Sequence, residues 1–355
     1  MNRDLSALGE AGEAILVVKT SSLGDIVHTL PAVAALAREC PGASIHWLAN
    51  SEWTPLLDGH PNLAEVIDFP RRKFHGYRAT SLKAARNWAR DHLEILRPAL
   101  ALDFQGLLRS ALLARASRAE HIVGFSRSRE GASMFYDERV DVRDWDRLHA
   151  VDRYLQLVAA LGGRIDPDID PVFDLPAGVP PTTEVGSDFV VLHPFSRGRR
   201  KSLSLSEVRR FCECLAPTPV VIAGSDPQNF SPSLPANAID LLGATTLAQL
   251  IWLLRLSSWT VSVDSGPMHL AAALNDRLLA IHTWTNPRVV GPCRPGAWVW
   301  RDGFLGRVGD IEADRFSEQR HQARRSPRHC DDSDTPLLGD GAIDLMAGFV
   351  ADKIA

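Results

Sequence analysis

Short apolar runs, each closed by a polar or glycine-bearing corner, recur along the chain. Residues 14–18, 190–192, 220–223 and 278–281 are apolar throughout. A strand with one wet face alternates apolar and polar positions; a continuous run is covered on both faces, as in a parallel sheet packed between helices. Further strands are expected at 44–48, 64–68, 100–104, 121–125 and 260–263, and helices at 32–37, 84–95, 149–161 and 344–350. This alternation predicts doubly wound α/β architecture, which places ligands at the carboxyl ends of strands. A stretch rich in Pro, Gly and Asp, 162–181, separates two such sets. The expected organisation is one domain over 1–175, a second over 176–340 and a terminal helix over 341–355, with the two parallel sheets facing one another across a cleft.

Length and composition narrow this picture. A chain of 355 residues is long for one core. Its 45% apolar and 23% charged content is that of a soluble globular protein. The formal net charge of −4 gives no global reason to expect nucleic acid as a partner. No apolar run reaches membrane-spanning length, and the N-terminus lacks the profile of a secretory signal. Five scattered cysteines point to reduced thiols and a cytoplasmic location.

Three strand corners carry unusual chemistry. In Val263-Asp264-Ser265-Gly266-Pro267-Met268-His269 a β-branched strand turns into an alanine-rich helix. Asp264 or Ser265 can cap that helix and Pro267 suits its first turn. Unpaired N–H groups and the positive end of the helix dipole then await an anion, with a phosphate the expected occupant. His269 follows Ser265 at i+4 and shares its side of the turn. An ordinary capped turn with a half-buried histidine uses the same residues. After the first strand, 19–31 opens with a loop of Lys19, three hydroxyls, Asp25 and a single glycine, so it is not the three-glycine dinucleotide fingerprint. Asp25 as an N-cap with a snorkelling Lys19 is the plain alternative. Asp103-Phe104-Gln105-Gly106 closes a third strand and is expected to open a helix. The loop 193–202, with Ser196, one glycine and four basic residues ending in Lys201, is a natural phosphate receptor. Beside the Asp264 corner, it suggests a diphosphate spanning two strand ends.

With these residues in view the chain resembles the ADP-heptose-using heptosyltransferases of lipopolysaccharide core assembly, a family of inverting glycosyltransferases with the two-domain GT-B fold. The resemblance rests on residues 17–31, 103–106 and 263–271 and covers nearly the whole chain, 307–336 being least family-like. The first stretch looks most like the enzyme that adds the first heptose. The resemblance implies that Asp25 is the general base for the acceptor hydroxyl, with Lys19 beside it. It implies that Ser196 and Lys201 meet the donor phosphates, that Asp264 contacts the heptose, and that Ser265 and Gly266 cradle the diphosphate near His269. Thr245 falls where main-chain atoms meet adenine. Three departures stand out: Lys201 is followed by Ser202 rather than a tryptophan, the loop before it is one residue longer, and Gln228 replaces a ribose-binding glutamate.

The expected reaction is heptose transfer from ADP-heptose to a lipid-linked saccharide. Lys201, Arg197 and the helix end would stabilise the leaving diphosphate in place of a metal, and no cofactor is expected beyond the ADP-sugar substrate. Arg71, Arg72 and Lys73 form a basic cluster suited to an anionic acceptor and to peripheral attachment at the cytoplasmic surface of the inner membrane; a solvated loop would look the same. Open alternatives are a related GT-B transferase with another sugar nucleotide or a protein acceptor, and a sugar-nucleotide epimerase.

Overall fold

The computed structural model describes residues 5–74, 79–166, 171–196, 201–225, 234–312, 315–316, 337–339 and 341–355. The chain divides into two compact units, Met1–Pro176 and Ala177–Ala355.

Unit 1 runs α1 (Leu5–Glu10), β1 (Ala14–Val18), α2 (Leu23–Glu39), β2 (Ser44–Asn50), β3 (Glu65–Phe69), α3 (Ala79–Ala89), β4 (Leu100–Asp103), α4 (Leu108–Ala116), β5 (His121–Phe125), β6 (Glu138–Val140) and α5 (Ala150–Ala160). Its sheet has the order β3-β2-β1-β4-β5-β6, with every pairing parallel. The chain moves outward from β1 to β3, then returns to lay β4 against β1. The β1/β4 boundary is therefore the switch point, where crossovers diverge and leave a crevice. Ile15, Leu16, Val17 and Val18 are wholly buried; burying such a side chain contributes about 1.5–3 kcal/mol each.

Unit 2 runs β7 (Val190–His193), α6 (Leu205–Leu215), β8 (Val220–Gly224), β9 (Ala238–Leu242), α7 (Leu247–Leu256), β10 (Trp259–Val263), α8 (Gly266–Leu274), β11 (Leu278–Ile281), α9 (Pro287–Val290), β12 (Trp298–Arg301), β13 (Phe304–Arg307) and α10 (Ala342–Ile354). The order β13-β12-β11-β10-β7-β8-β9 places its switch point between β7 and β10.

Several elements differ from expectation. The second sheet is not wholly parallel, because β13 turns back on β12 as an antiparallel edge. Arg307 thus ends a strand; 317–336 lie outside the described residues. α2 begins at Leu23, not after Pro31, and carries that proline in its interior, where burial of both flanks outweighs the lost backbone bond. The helix expected over 84–95 ends at Ala89 and continues as a π turn, Arg90–Glu94. Gln105 and Gly106 do not open a helix. The Asp103 carboxylate accepts from their backbone N–H groups at 2.9 and 3.1 Å, Gly106 takes φ +68°, and α4 starts at Leu108.

Asp103 is fully buried; its other oxygen accepts from Ser110 Oγ and Tyr136 Oη, both at 2.8 Å. Gly124 on β5 leaves room for that tyrosine: a Cβ there would stand 2.4 Å from the ring. Gly124→Ala is expected to displace Tyr136 from Asp103 and cost about 1–3 kcal/mol, the range for overpacking. An unchanged denaturant midpoint would show that the ring can yield.

Candidate functional site

In unit 1 the site is built at the β1/β4 crevice. Lys19 leaves the end of β1 into the interior, where its ammonium donates to Phe104 O at 2.9 Å and Tyr154 Oη at 2.8 Å and lies 3.9 Å from Asp25 Oδ1. Burial on its own would lower the Lys19 pKa, but Tyr154 and Asp25 outweigh it and hold the ammonium above its ordinary value. Asp25 is not the N-cap. Ser22 holds that position, and Asp25 at the third helical residue accepts from Ser22 N at 3.0 Å and Ser22 Oγ at 2.7 Å through Oδ2. Oδ1 is left toward Tyr154 Oη, 3.3 Å away, and the side chain is 43% exposed. One carboxylate oxygen thus fixes the helix start while the other faces Tyr154 and solvent reaches the group. Gln105 shapes the same loop: its Oε1 accepts from Thr20 N at 3.0 Å, Ser21 N at 2.9 Å and Thr20 Oγ1 at 3.3 Å.

In unit 2 the β7 and β10 corners meet. Lys201 Nζ lies 2.5 Å from Asp264 Oδ2, which also accepts from Thr285 Oγ1 at 2.7 Å. That hydroxyl spends its proton on Asp264, so it accepts from His282 Nδ1, 2.8 Å away. Burial alone would raise the Asp264 pKa; His282, Lys201 and the bonds from Lys201 and Thr285 bring it below the usual carboxylate value. His282 is itself pushed down to about 4 by burial, so it is neutral near pH 7 and Lys201 supplies the charge. Ser265 occupies the N-cap position of α8 but its side chain makes no cap bond, contrary to the capping expected of it or Asp264. Its Oγ donates back to Val263 O at 3.0 Å and lies 3.2 Å from His193 Nδ1. Asp264 is engaged by Lys201 instead. The first turn of α8, from Gly266, is therefore without a side-chain cap.

Ser196 lies beyond β7, where its N–H donates to Ser202 Oγ at 3.0 Å. Thr245 is half-buried one residue before Thr246, the N-cap of α7, past β9 at the far side of the sheet. His269 is buried in α8. Gln228 lies outside the described residues. Lys19 and Asp25 therefore stand together, as do Lys201, Asp264, Ser265 and Gly266, while Thr245 stands apart along the same sheet. Arg71–Phe74 forms a 3₁₀ turn with its three basic side chains exposed, Arg72 lying 4.0 Å from Glu52.

The pattern along the chain does not indicate Tyr154, Thr285, His282 or Trp284. Trp284 stands with Lys201 Nζ 4.9 Å from its ring centre. The aromatic missing after Lys201 in sequence thus has a spatial counterpart from the loop after β11. The local cue for Thr285 is its place just past a buried strand; the others are ordinary core or loop positions in sequence.

Comparison with known proteins bears on the family and the fold. Residues 93–302 match the family described as Glycosyltransferase family 9 (heptosyltransferase). Lipopolysaccharide heptosyltransferase 1 of Pseudomonas aeruginosa is 31% identical over 293 residues, 78% of this chain and 80% of that protein. The enzyme of the same name from Escherichia coli K12 is 27% identical over 291 residues, 78% and 90% of the two chains. Among solved structures, E. coli heptosyltransferase WaaC with ADP matches with TM-score 0.68 and 25% identity, covering 85% of this chain and 97% of that one. A family 9 glycosyl transferase from Veillonella parvula shares the fold, with TM-score 0.69 at 18% identity over 84% and 87% of the chains. Two α/β units, each with a switch-point sheet, give the chain the GT-B fold of its structural neighbours, and the chain belongs to glycosyltransferase family 9, the heptosyltransferases.

His193 and His282 are both buried and both pushed down to about 4 by that burial. Unfolded, each titrates near 6.5, so between pH 6.5 and 4 the unfolded chain binds more protons and stability falls as pH falls. The expected loss from pH 7 to 5 is on the order of 2 kcal/mol per histidine. Denaturant midpoints followed across that range check this; a flat profile would mean that the native rings titrate near their ordinary 6.5.

Proposed function

We propose that this transferase moves a heptose from ADP-heptose to a lipid-linked lipopolysaccharide-core saccharide, inverting the anomeric centre, with Asp25 as general base. The arrangement of Asp25 carries the reading. Its Oδ2 is tied to Ser22, while the buried Lys19 ammonium keeps a positive charge 3.9 Å from Oδ1. A partly exposed, oriented carboxylate is what abstraction of a hydroxyl proton requires, and such a base contributes about 10²–10⁴-fold. Lys19 holds the carboxylate ready, and Tyr154 links the two groups.

Unit 2 receives the donor along its strand ends. Thr245 past β9 meets adenine, Gln228 past β8 the ribose, and Ser196, Lys201 and the N–H groups of Ser265 and Gly266 the diphosphate, with His269 close by. Asp264 meets the heptose. The uncapped first turn of α8 supports the phosphate assignment, since its N–H groups and dipole favour an anion. Departure of ADP is stabilised by Lys201 and that helix end without a metal. WaaC, solved with ADP, supports the choice of nucleotide. The exposed Arg71, Arg72 and Lys73 suit an acidic, membrane-borne acceptor and a peripheral position on the inner membrane. Among the described residues no helix is long and apolar enough to cross a membrane.

Release of ADP from ADP-heptose should require the acceptor; release at the same rate without it would count against transfer. Asp25→Asn should leave the ADP Kd nearly unchanged and lower turnover about 10²-fold or more, whereas Lys201→Ala should weaken ADP binding by roughly 1.5–3 kcal/mol. Because the latter also strands the buried Asp264, its melting temperature is recorded alongside. Near-normal turnover in Asp25→Asn would falsify the base assignment.

The triple change of Arg71, Arg72 and Lys73 to serine should raise the acceptor KM and weaken binding to anionic vesicles, each basic residue being worth on the order of 1 kcal/mol at such a surface. If both quantities stay put, the turn is only a solvated surface.

A further inference from the structure

Trp284 is a large apolar side chain left 45% exposed beside a charged site, and its loop is fixed on every side. Thr285 is held through its hydroxyl by His282 and Asp264, and Arg301, itself buried, donates Nη1 to Thr285 O at 2.8 Å. Asn286 then caps α9 by accepting from Arg288 N at 3.0 Å. An indole in this position is presented by a braced segment, so little ordering cost remains when something packs on it. The Lys201 ammonium near its ring ties it to the diphosphate-binding group.

The sheet order tells which part of the donor arrives there. From one side to the other the strand ends read β9, β8, β7, β10, β11. Resting on the donor assignment proposed above, adenine, ribose and diphosphate take the ends of β9, β8 and the β7/β10 crevice in turn. The next end, that of β11, carries Trp284 and lies on the side opposite adenine.

We infer that Trp284 is the platform on which the transferred sugar of the donor packs, and that it selects the donor by its sugar. A pyranose ring has an apolar face of C–H groups, and an indole offers a flat partner of matching size with a negatively polarised face. Asp264, one hydrogen bond away through Thr285, takes hydroxyls at the sugar's edge, while Trp284 takes its face. Nucleotide affinity then resides in Lys201 and α8, and sugar discrimination in the loop after β11.

The test is calorimetric binding of ADP and of ADP-heptose to the wild-type chain, Trp284→Ala and Trp284→Phe. The expected result is an ADP Kd within about twofold in all three, ADP-heptose binding about five- to tenfold weaker in Trp284→Ala, and most of that loss recovered in Trp284→Phe. If ADP and ADP-heptose weaken by the same factor, the ring only braces Lys201 and the inference is overturned. It is equally overturned if neither moves. A wild-type chain that binds neither ligand overturns the donor assignment itself and this inference with it, whereas wild-type binding of ADP-heptose with an unchanged ratio in Trp284→Ala overturns the role of Trp284 alone.

Discussion

An ammonium removed from water must be answered by acceptors and by opposite charge, because each unpaired ion inside a protein costs several kcal/mol. Lys19 is answered from three directions: the Phe104 carbonyl beyond β4, the Tyr154 hydroxyl on α5 and the Asp25 carboxylate on α2. Those three elements cannot shift independently of β1 without stranding the charge. The same logic holds in the second unit, where Asp264, only 8% exposed at its side chain, is balanced by Lys201 and Thr285. In both units the balanced charge sits at the boundary where the chain reverses its direction of winding. That is where a crevice forms and where polar groups remain reachable.

One fold thereby supplies two different kinds of chemistry. In the first unit the exposed partner of the buried ion is a carboxylate, which can take a proton. In the second the more exposed partner is an ammonium, 24% exposed against 8% for its carboxylate, which can meet phosphate. The two kinds of group stand on separate sheets of this chain.

The buried strands were legible in sequence because a continuous apolar run must be covered on both faces, and Ala14–Val18 and Val190–His193 lie where the pattern indicates. The polar corners at Lys19, Lys201 and Asp264, with Asp25 just beyond the first, were legible because charges and hydroxyls crowd the carboxyl ends of apolar strands, where a doubly wound sheet places its ligands. What sequence did not reveal is pairing across distance. Tyr154 is 135 residues from Lys19, and nothing in its local helix distinguishes it from a core tyrosine. Trp284 and Thr285 owe their place to the alignment of β11 with β10. Glu138–Val140 and the β12–β13 hairpin are short strands of mixed character, without a run long enough to signal them. Pro31 misled in the other direction, since a proline reads as a helix start unless burial on both flanks overrides it.

The amide of Gln105 has a consequence for how such a chain can change over time. One oxygen takes three hydrogen bonds from Thr20 and Ser21, across 85 and 84 positions of sequence. The shape of the loop before α2 is thus set partly by a residue that never belongs to it. A change in either stretch alters the fit of the other, so substitutions in the two are energetically coupled rather than additive. The side chains that surround the loop are free of this constraint, which falls on the backbone that the three bonds fix.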